Sequence, residues 1–315
     1  MKLSNKTLLN LTHGVISYKE KTNGYISFYS FSEEQIEYFK FNPFFYDRCK
    51  FQSSITIEFK TDASKISFNY NISCVGSKDS LDVYVDDVAY QFININDIKE
   101  KGKLEISLPE GNKKVCIYFP IDVEFEIKNF TIEGKYSKVN KRKEKVLWLG
   151  DSITQGYGTS STSFTYVNVA NRTLKYDVVN QGIGGYYYDY KSLMPLNNFY
   201  PDKIIIALGT NQIFSTDTKE TIENFFNKLA ELYPNVKTIV VTPIYRCDHE
   251  NGLELVKNVT KLIVEKCNQY ENVHIVDGLK LLPHLDYFFL DRLHPNALGM
   301  KLYGDNLAKE ILKIK

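Results

Sequence analysis

The spacing of apolar residues changes near residue 140, and this change constrains the fold more than any other feature of the chain. Before it, short β-branched and aromatic segments alternate apolar and polar side chains, so that Ile55, Ile57 and Phe59 share one face. After it, nearly continuous apolar segments alternate with stretches of helical spacing. The first pattern is typical of half-buried strands and the second of parallel strands covered by helices. We therefore predict an all-β domain followed by an α/β domain.

The first part of the chain predicts a β-sandwich or jelly roll over residues 1–140. Turn-forming residues, such as those at 61–64 and 109–112, separate the alternating segments. Many short strands joined in this way pack as two antiparallel sheets. This interpretation treats residues 17–133 as a series of strands, at 25–31, 54–60, 65–73, 81–87, 103–108, 114–119 and 125–134.

The second part, residues 141–315, predicts an α/β domain. The basic stretch 135–145 lacks periodicity, and we interpret it as a solvated linker rather than a nucleic-acid-binding patch. Ligands of parallel sheets bind beyond the carboxyl ends of the strands, so the residues that follow each strand are the candidates for function. The predicted strands are 146–150, 177–181, 203–209, 238–243 and 273–277, and the predicted helices are 164–174, 218–232, 253–270 and 297–313.

Three candidate residues follow the first three of these strands. Ser152, in the segment GDSIT, opens the first helix and suits a nucleophile, although a helix N-cap explains this serine equally well. Gly185 ends a glycine-rich turn and can offer its N–H to an oxyanion, although a plain tight turn has the same composition. Asn211 carries an amide that can donate to an oxyanion, and asparagine is also a common turn residue.

A further pair, Asp291 and His294, lies just before the last helix. A carboxylate three residues before a histidine can hold one imidazole nitrogen and leave the other free to take a proton from a serine hydroxyl. Such a pair can also arise by chance. The other histidines of this half, His249, His274 and His284, lack the spacing of metal ligands, and we expect no metal and no other cofactor.

The order of the four blocks is more specific than any one of them. A serine follows strand one, a glycine-rich turn follows strand two, G-x-N follows strand three, and D-x-x-H precedes the last helix. This order resembles that of the SGNH hydrolases, the GDSL esterase family, over about residues 146–315, and the first block matches in full. The third block departs from the family pattern, because Gln212 stands where an acid is usual.

The resemblance implies a fold and a role for each matching residue. The fold would be a three-layer, flavodoxin-like domain with a parallel sheet. Ser152 would be the nucleophile, His294 the general base and Asp291 the residue that orients the histidine. The N–H groups of Ser152 and Gly185 and the Asn211 amide would form the oxyanion hole.

A β-domain ahead of an SGNH domain also resembles the two-domain carbohydrate acetylesterases. This second resemblance implies a serine esterase that removes O-acetyl groups from a carbohydrate. Tyr186 and Tyr187 follow the proposed oxyanion glycine, and aromatic rings are platforms for sugars, so we expect them to bind substrate unless they pack inside the protein. The alternatives are a short-chain lipolytic esterase or thioesterase, and a carbohydrate-binding protein without activity.

The charge of the chain argues against partners recognised by bulk electrostatics. Lys and Arg number 39 against 38 Asp and Glu, so neither nucleic acid nor an anionic membrane is an expected partner. No apolar run approaches the roughly 20 residues that span a bilayer, and polar residues interrupt the first 20 residues. With five scattered cysteines, a soluble cytosolic protein is expected, although an exported form without its leader would show the same composition. The expected partner is a small-molecule or oligosaccharide ester, and the oligomeric state stays open.

Overall fold

The computed structural model describes residues 1–76, 79–140 and 142–314. Its first part is built mainly of strands, with three short helices, α1 (Asn5–Leu9), α2 (Glu33–Tyr38) and α3 (Pro43–Arg48). The strands are β1 (Thr12–His13), β2 (Ser17–Glu20), β3 (Ile26–Tyr29), β4 (Thr56–Thr61), β5 (Lys65–Val75), β6 (Ser80–Val85), β7 (Val88–Asn94), β8 (Lys101–Ser107), β9 (Lys113–Tyr118), β10 (Val123–Ile132) and β11 (Tyr136–Lys138).

Two antiparallel sheets form a sandwich from these strands. One sheet has the order β1-β4-β9-β6-β7, with β11 paired to β4, and the other has the order β2-β3-β10-β5-β8. The faces that meet are apolar, and Ile57, Phe59, Phe68 and Phe125 are almost fully buried between them. The predicted β-sandwich is therefore confirmed.

Between the predicted strands 25–31 and 54–60 the sequence predicted no element, and the structure forms helices α2 and α3 there. Ser32 caps α2, and the Gln35 side chain returns a hydrogen bond to the Ser32 N–H, so the two form a reciprocal capping box. The Asn42 side chain caps α3, and Pro43 is its first residue, where a missing N–H costs nothing. These capping residues are local features of the sequence, and they explain where the two helices begin.

The predicted solvated linker is also wrong in part. Residues Tyr136–Lys138 form β11 and extend the sandwich sheet. The Arg142 guanidinium donates to both oxygens of Glu58, a residue that is only 1% exposed. A buried carboxylate needs a partner of opposite charge, which explains why this basic segment folds back onto the sandwich. Lys141, within the same segment, lies outside the described residues.

The second part of the chain is an α/β domain with a five-stranded parallel sheet. The strand order, β13-β12-β14-β15-β16, is flavodoxin-like, with the first strand second in the sheet. Its strands are β12 (Lys145–Gly150), β13 (Asp177–Gly182), β14 (Lys203–Ala207), β15 (Lys237–Val241) and β16 (Val273–Val276), and its helices are α4 (Ser152–Gln155), α5 (Tyr166–Leu174), α6 (Thr218–Leu232), α7 (Gly252–Cys267) and α8 (Ala297–Lys313).

Alternate side chains of this sheet are buried under helices on both sides. Val146 and Trp148 face α5 and α8, whereas Leu147 and Leu149 face α6 and α7. The three-layer arrangement predicted from the continuous apolar strands is therefore confirmed. None of the helices in the described residues combines the length and apolar character needed to cross a bilayer.

Candidate active site

Ser152 lies at the carboxyl end of β12, as the first residue of α4. The Asp151 side chain caps this helix by accepting the Ile153 N–H at 2.9 Å, which fixes the turn that carries the serine. The Ser152 hydroxyl oxygen lies 2.8 Å from the Nε2 atom of His294. The structure thus brings the first and fourth sequence blocks into hydrogen-bond contact.

Asp291 holds the other side of the same imidazole. Its Oδ2 lies 2.8 Å from His294 Nδ1, and its Oδ1 accepts the backbone N–H groups of Leu293 and His294. An ionised carboxylate only accepts hydrogen bonds, so Nδ1 carries the hydrogen and Nε2 is free to accept one from Ser152. Partial burial would raise the pKa of Asp291, but these hydrogen bonds and the imidazole charge outweigh burial and hold that pKa below its ordinary value.

The loop after α4 packs directly on the histidine. The Tyr157 ring lies 4.6 Å from the His294 ring in an edge-to-face arrangement. Gly158 has a φ of +108°, and a Cβ there would lie only 2.4 Å from the Pro295 carbonyl oxygen. Only glycine permits both this backbone conformation and this close approach. Gly158, the second glycine of Gly156-Tyr157-Gly158, therefore lets the Ser152 loop and the His294 loop meet.

Gly185 ends the turn that follows β13, with a φ of +74°. The preceding residue, Gly184, donates its N–H to Gln155 Oε1 at 2.6 Å. Gln155 in turn donates through Nε2 to Asp122 Oδ1 at 2.8 Å, and its carbonyl accepts the Ser53 hydroxyl at 2.7 Å. Asp122 and Ser53 of the sandwich domain thus fix the position of Gln155, and Gln155 in turn fixes the glycine turn.

Asn211 follows β14 and is joined to the Gly185 turn. Its Nδ2 donates to the Tyr186 carbonyl at 2.8 Å, which links the loops after β13 and β14. An amide nitrogen carries two hydrogens, so the second can still be donated to a ligand. The three loops that carry Ser152, Gly185 and Asn211 follow adjacent parallel strands and meet at one edge of the sheet.

Gln212 supports the Asn211 loop in place of the acid that is usual in the family. Its Oε1 accepts the Tyr188 N–H at 3.3 Å, and its Nε2 donates to the Thr221 hydroxyl at 3.0 Å. The side chain is only 3% exposed, so the amide satisfies both of its polar ends inside the protein. A neutral amide therefore bridges the loop to the preceding turn and to α6.

Tyr186 and Tyr187 differ in their surroundings. The Tyr186 ring is only 5% exposed and packs against Phe39 and Phe45 of the sandwich domain, with its hydroxyl 3.0 Å from Asp189. This is the packing role that the sequence left open. Tyr187 is half-buried and keeps part of its ring accessible. Of the two tyrosines, only Tyr187 offers a surface to a ligand.

Four residues near the site were not identified from the sequence: Phe44, Arg48, Asp122 and Gln155. The first three belong to the sandwich domain, far from the four blocks along the chain, and spacing therefore carried no signal for them. Gln155 lies only three residues after Ser152, but its role depends on Asp122 and Gly184, which only the fold brings beside it. Among the described residues, no group of three or more His, Cys, Asp or Glu side chains is placed to hold a metal ion.

Residues 148–302 match the sequence profile of the GDSL-like lipase/acylhydrolase family. No curated protein sequence matches the chain. Among solved structures, a GDSL-like lipase candidate from Bacteroides ovatus superposes with a TM-score of 0.78 at 20% identity, covering 100% of this chain and 98% of that one.

Two carbohydrate esterases are also similar in structure. The acetyl xylan esterase Est2A from Butyrivibrio proteoclasticus has a TM-score of 0.68 at 15% identity, covering 99% of this chain and 97% of that one. A family two carbohydrate esterase from Clostridium thermocellum, solved with cellohexaose, has a TM-score of 0.67 at 17% identity, covering 83% and 92%. At these identities the likeness establishes the two-domain fold alone. Together with the profile match, it shows that the chain contains a GDSL-like lipase/acylhydrolase domain.

Proposed function

We propose that the protein is a serine esterase that hydrolyses its substrate through an acyl-enzyme. The observation that carries this proposal is the continuous hydrogen-bonded series from the Ser152 hydroxyl through His294 to Asp291. A serine hydroxyl is a weak nucleophile until a base removes its proton, and the free Nε2 atom of His294 is positioned to do so.

In the first proposed step, Ser152 Oγ attacks the ester carbonyl while its proton passes to His294 Nε2. The resulting oxyanion accepts hydrogen bonds from the N–H groups of Ser152 and Gly185 and from the Asn211 amide. Collapse of this intermediate breaks the bond to the alcohol, which leaves with the proton from Nε2. The products of the step are the free alcohol and an acyl group on Ser152.

In the second step, water repeats the sequence on the acyl-enzyme. His294 takes a proton from water, the hydroxide oxygen adds to the acyl carbonyl, and the same donors hold the oxyanion. The bond to Ser152 Oγ then breaks, and the serine regains its proton from His294. The carboxylic acid leaves, and no redox partner is needed.

For the substrate, we propose an O-acetyl group on a carbohydrate. The support is the two-domain likeness to carbohydrate esterases over most of the chain, together with the partly exposed Tyr187 beside the oxyanion glycine. A short-chain lipolytic esterase or a thioesterase would use the same three residues. A rate profile over acyl chain lengths separates these possibilities, because an acetylesterase loses activity as the acyl chain grows.

We also propose that the two domains meet at residues 140 and 141. The last strand of the sandwich, β11, ends at Lys138, and the first strand of the parallel sheet begins at Lys145. The boundary therefore falls in the short segment between these strands, from which Arg142 reaches back to Glu58.

The decisive experiment is the replacement Ser152→Ala. We expect it to lower the kcat for a short aryl acetate by at least about 10⁴-fold, because the covalent route is lost while binding remains. The matched control is Ser215→Ala, which changes an exposed serine of the same domain and should keep full activity. If Ser152→Ala retains turnover with an unchanged circular dichroism spectrum, the proposal is wrong.

A further inference from the structure

Helix α3 of the sandwich domain lies directly against the glycine turn of the α/β domain. A Cβ on Gly185 would lie 3.2 Å from Cε1 of Phe44, and a Cβ on Gly184 would lie 2.8 Å from Nε of Arg48. The Phe44 ring is 47% exposed, so it borders the site instead of being enclosed. An aromatic ring and a guanidinium from one domain thus form a wall beside the proposed oxyanion donor of the other.

Arg48 is held in this position without a partner of opposite charge. Its guanidinium carbon lies 3.4 Å from the centre of the Phe44 ring, and its NH1 donates to the Phe44 carbonyl at 3.3 Å. The neighbouring acid, Asp47, pairs instead with Lys50 at 3.0 Å. Among the residues that the structure describes, Arg48 makes no ion pair, and its positive charge is available to a ligand.

The charge is close enough to the reaction centre to act on a substrate. Arg48 Nε lies 2.8 Å from the position that a Cβ on Gly184 would take. Only the Cα–Cβ, Cα–C and C–N bonds separate that position from the Gly185 nitrogen, so Arg48 Nε lies within about 7 Å of this nitrogen. A substrate whose carbonyl oxygen binds there places groups a few bonds away within reach of the guanidinium. The planar guanidinium fork matches the geometry of a carboxylate.

We propose that Arg48 and Phe44 form a subsite for a carboxylate on the alcohol part of the ester. This inference rests on the proposed esterase function. An acetyl group carries no charge, so the carboxylate must belong to the alcohol. The substrate class is then acetyl esters of acidic compounds, such as saccharides that contain uronic acids. The net charge of the chain is only +1, so this local cation, and not a bulk field, provides the selectivity.

The kinetic test uses two esters that differ in charge but little in shape, 4-acetoxybenzoate and 4-acetoxybenzamide. We expect the native enzyme to have a higher kcat/KM for the benzoate than for the benzamide. Arg48→Gln should reduce that preference about tenfold, because this is the size of effect expected from a solvent-screened pair of opposite charges a few ångströms apart. Arg48→Lys keeps the charge and should keep part of the preference. The control Lys40→Gln removes a charge from an exposed residue of the same segment and should leave the preference unchanged.

A binding test makes the result independent of turnover. In the Ser152→Ala background, calorimetry should show that 4-hydroxybenzoate binds more weakly when Arg48→Gln is added. The neutral 4-hydroxybenzamide should bind with the same affinity whether or not Arg48 is replaced. An unchanged benzoate-to-benzamide ratio in Arg48→Gln, together with unchanged benzoate binding, would overturn the subsite. If the enzyme hydrolyses neither ester, the esterase proposal fails, and the calorimetry still decides whether the subsite exists.

Discussion

Both carboxylate oxygens of Asp291 accept hydrogen bonds from His294. Oδ1 accepts the backbone N–H of His294, and Oδ2 accepts the ring Nδ1–H, so the carboxylate fixes both the position and the tautomer of the imidazole. Because these bonds hold the pKa of Asp291 below its ordinary value, the carboxylate stays charged at neutral pH. In the proposed mechanism it also stabilises the imidazolium that forms when Ser152 loses its proton.

We predict that Asp291→Ala lowers kcat for an aryl acetate by about 10²-fold or more, because the imidazole loses both its orientation and its counter-charge. Steady-state kinetics on the purified variant checks this prediction. The control is Asp286→Ala, which removes another exposed acid of the same loop, one that lies 3.4 Å from Arg292. Equal activity in the two variants would show that Asp291 does not act through the histidine.

Helix α4 has only four residues and depends on its two ends for its shape. Its start is capped by Asp151, and it ends at Gly156, whose left-handed backbone lets the chain turn back. Gly156 and Tyr157 both donate their N–H groups to the Ser152 carbonyl, which closes the short helix. Burial raises the pKa of Asp151 to about 7, although the N–H groups of Ile153 and Thr154 oppose this effect. The protonation state of Asp151, which caps the turn that carries Ser152, therefore changes near neutral pH.

This linkage predicts how stability changes with pH. A carboxyl group with a raised folded-state pKa keeps a proton that the same group has already lost in the unfolded chain. Its contribution to the free energy of unfolding therefore falls as the pH rises from about 4 to about 7. Asp151→Asn keeps a cap acceptor and removes the titration. Relative to this variant, the native protein should therefore lose up to about 4 kcal/mol of unfolding free energy across that range. Urea unfolding at pH 4.5 and 7.5 measures the difference, and parallel pH profiles for the two proteins would contradict the expectation.

At the scale of the whole molecule, the sandwich domain is part of the site's framework. Its Asp122 and Ser53 hold Gln155, and Tyr38 donates to Asp189 in the loop that contains Gly185. An apolar cluster joins the same two regions, with Phe31, Phe39, Phe45 and Cys49 on the sandwich side and Ile183 and Tyr186 on the other. An oxyanion donor is effective only when its direction is set in advance, so these contacts bear on catalysis as well as on stability.

We predict that Asp122→Ala lowers kcat about tenfold with little change in KM, because Gln155 loses the acceptor that orients it towards Gly184. Asp122→Asn retains an oxygen at the same place and should restore most of the activity. Michaelis–Menten kinetics of both variants, at a temperature where both are folded, tests this prediction. If Asp122→Ala is less stable but keeps its kcat, the hydrogen bond between Asp122 and Gln155 contributes to folding and not to catalysis.

The sequence predicted the elements of the α/β domain better than those of the sandwich. Strands such as 146–150 and helices such as 218–232 have strong periodicity, and the structure places elements at both positions. Residues 33–48 received no predicted element, although the capping residues Ser32 and Asn42 mark the starts of the two helices found there. The basic stretch 135–145 was predicted to be a solvated linker, because the buried partner of Arg142, Glu58, is distant in sequence.

Block order and apolar periodicity are local properties of the chain, so they indicate which side chains follow the strands of the parallel sheet and which pair precedes the last helix. These local patterns are sufficient to indicate Ser152, Asp291 and His294 as candidate site residues. The residues that lie beside the Gly185 turn come from distant segments, and the fold alone brings them there. Tyr186 was found buried, and Arg48 and Phe44 were found at the site, because packing between distant segments depends on shape and burial that no local pattern records.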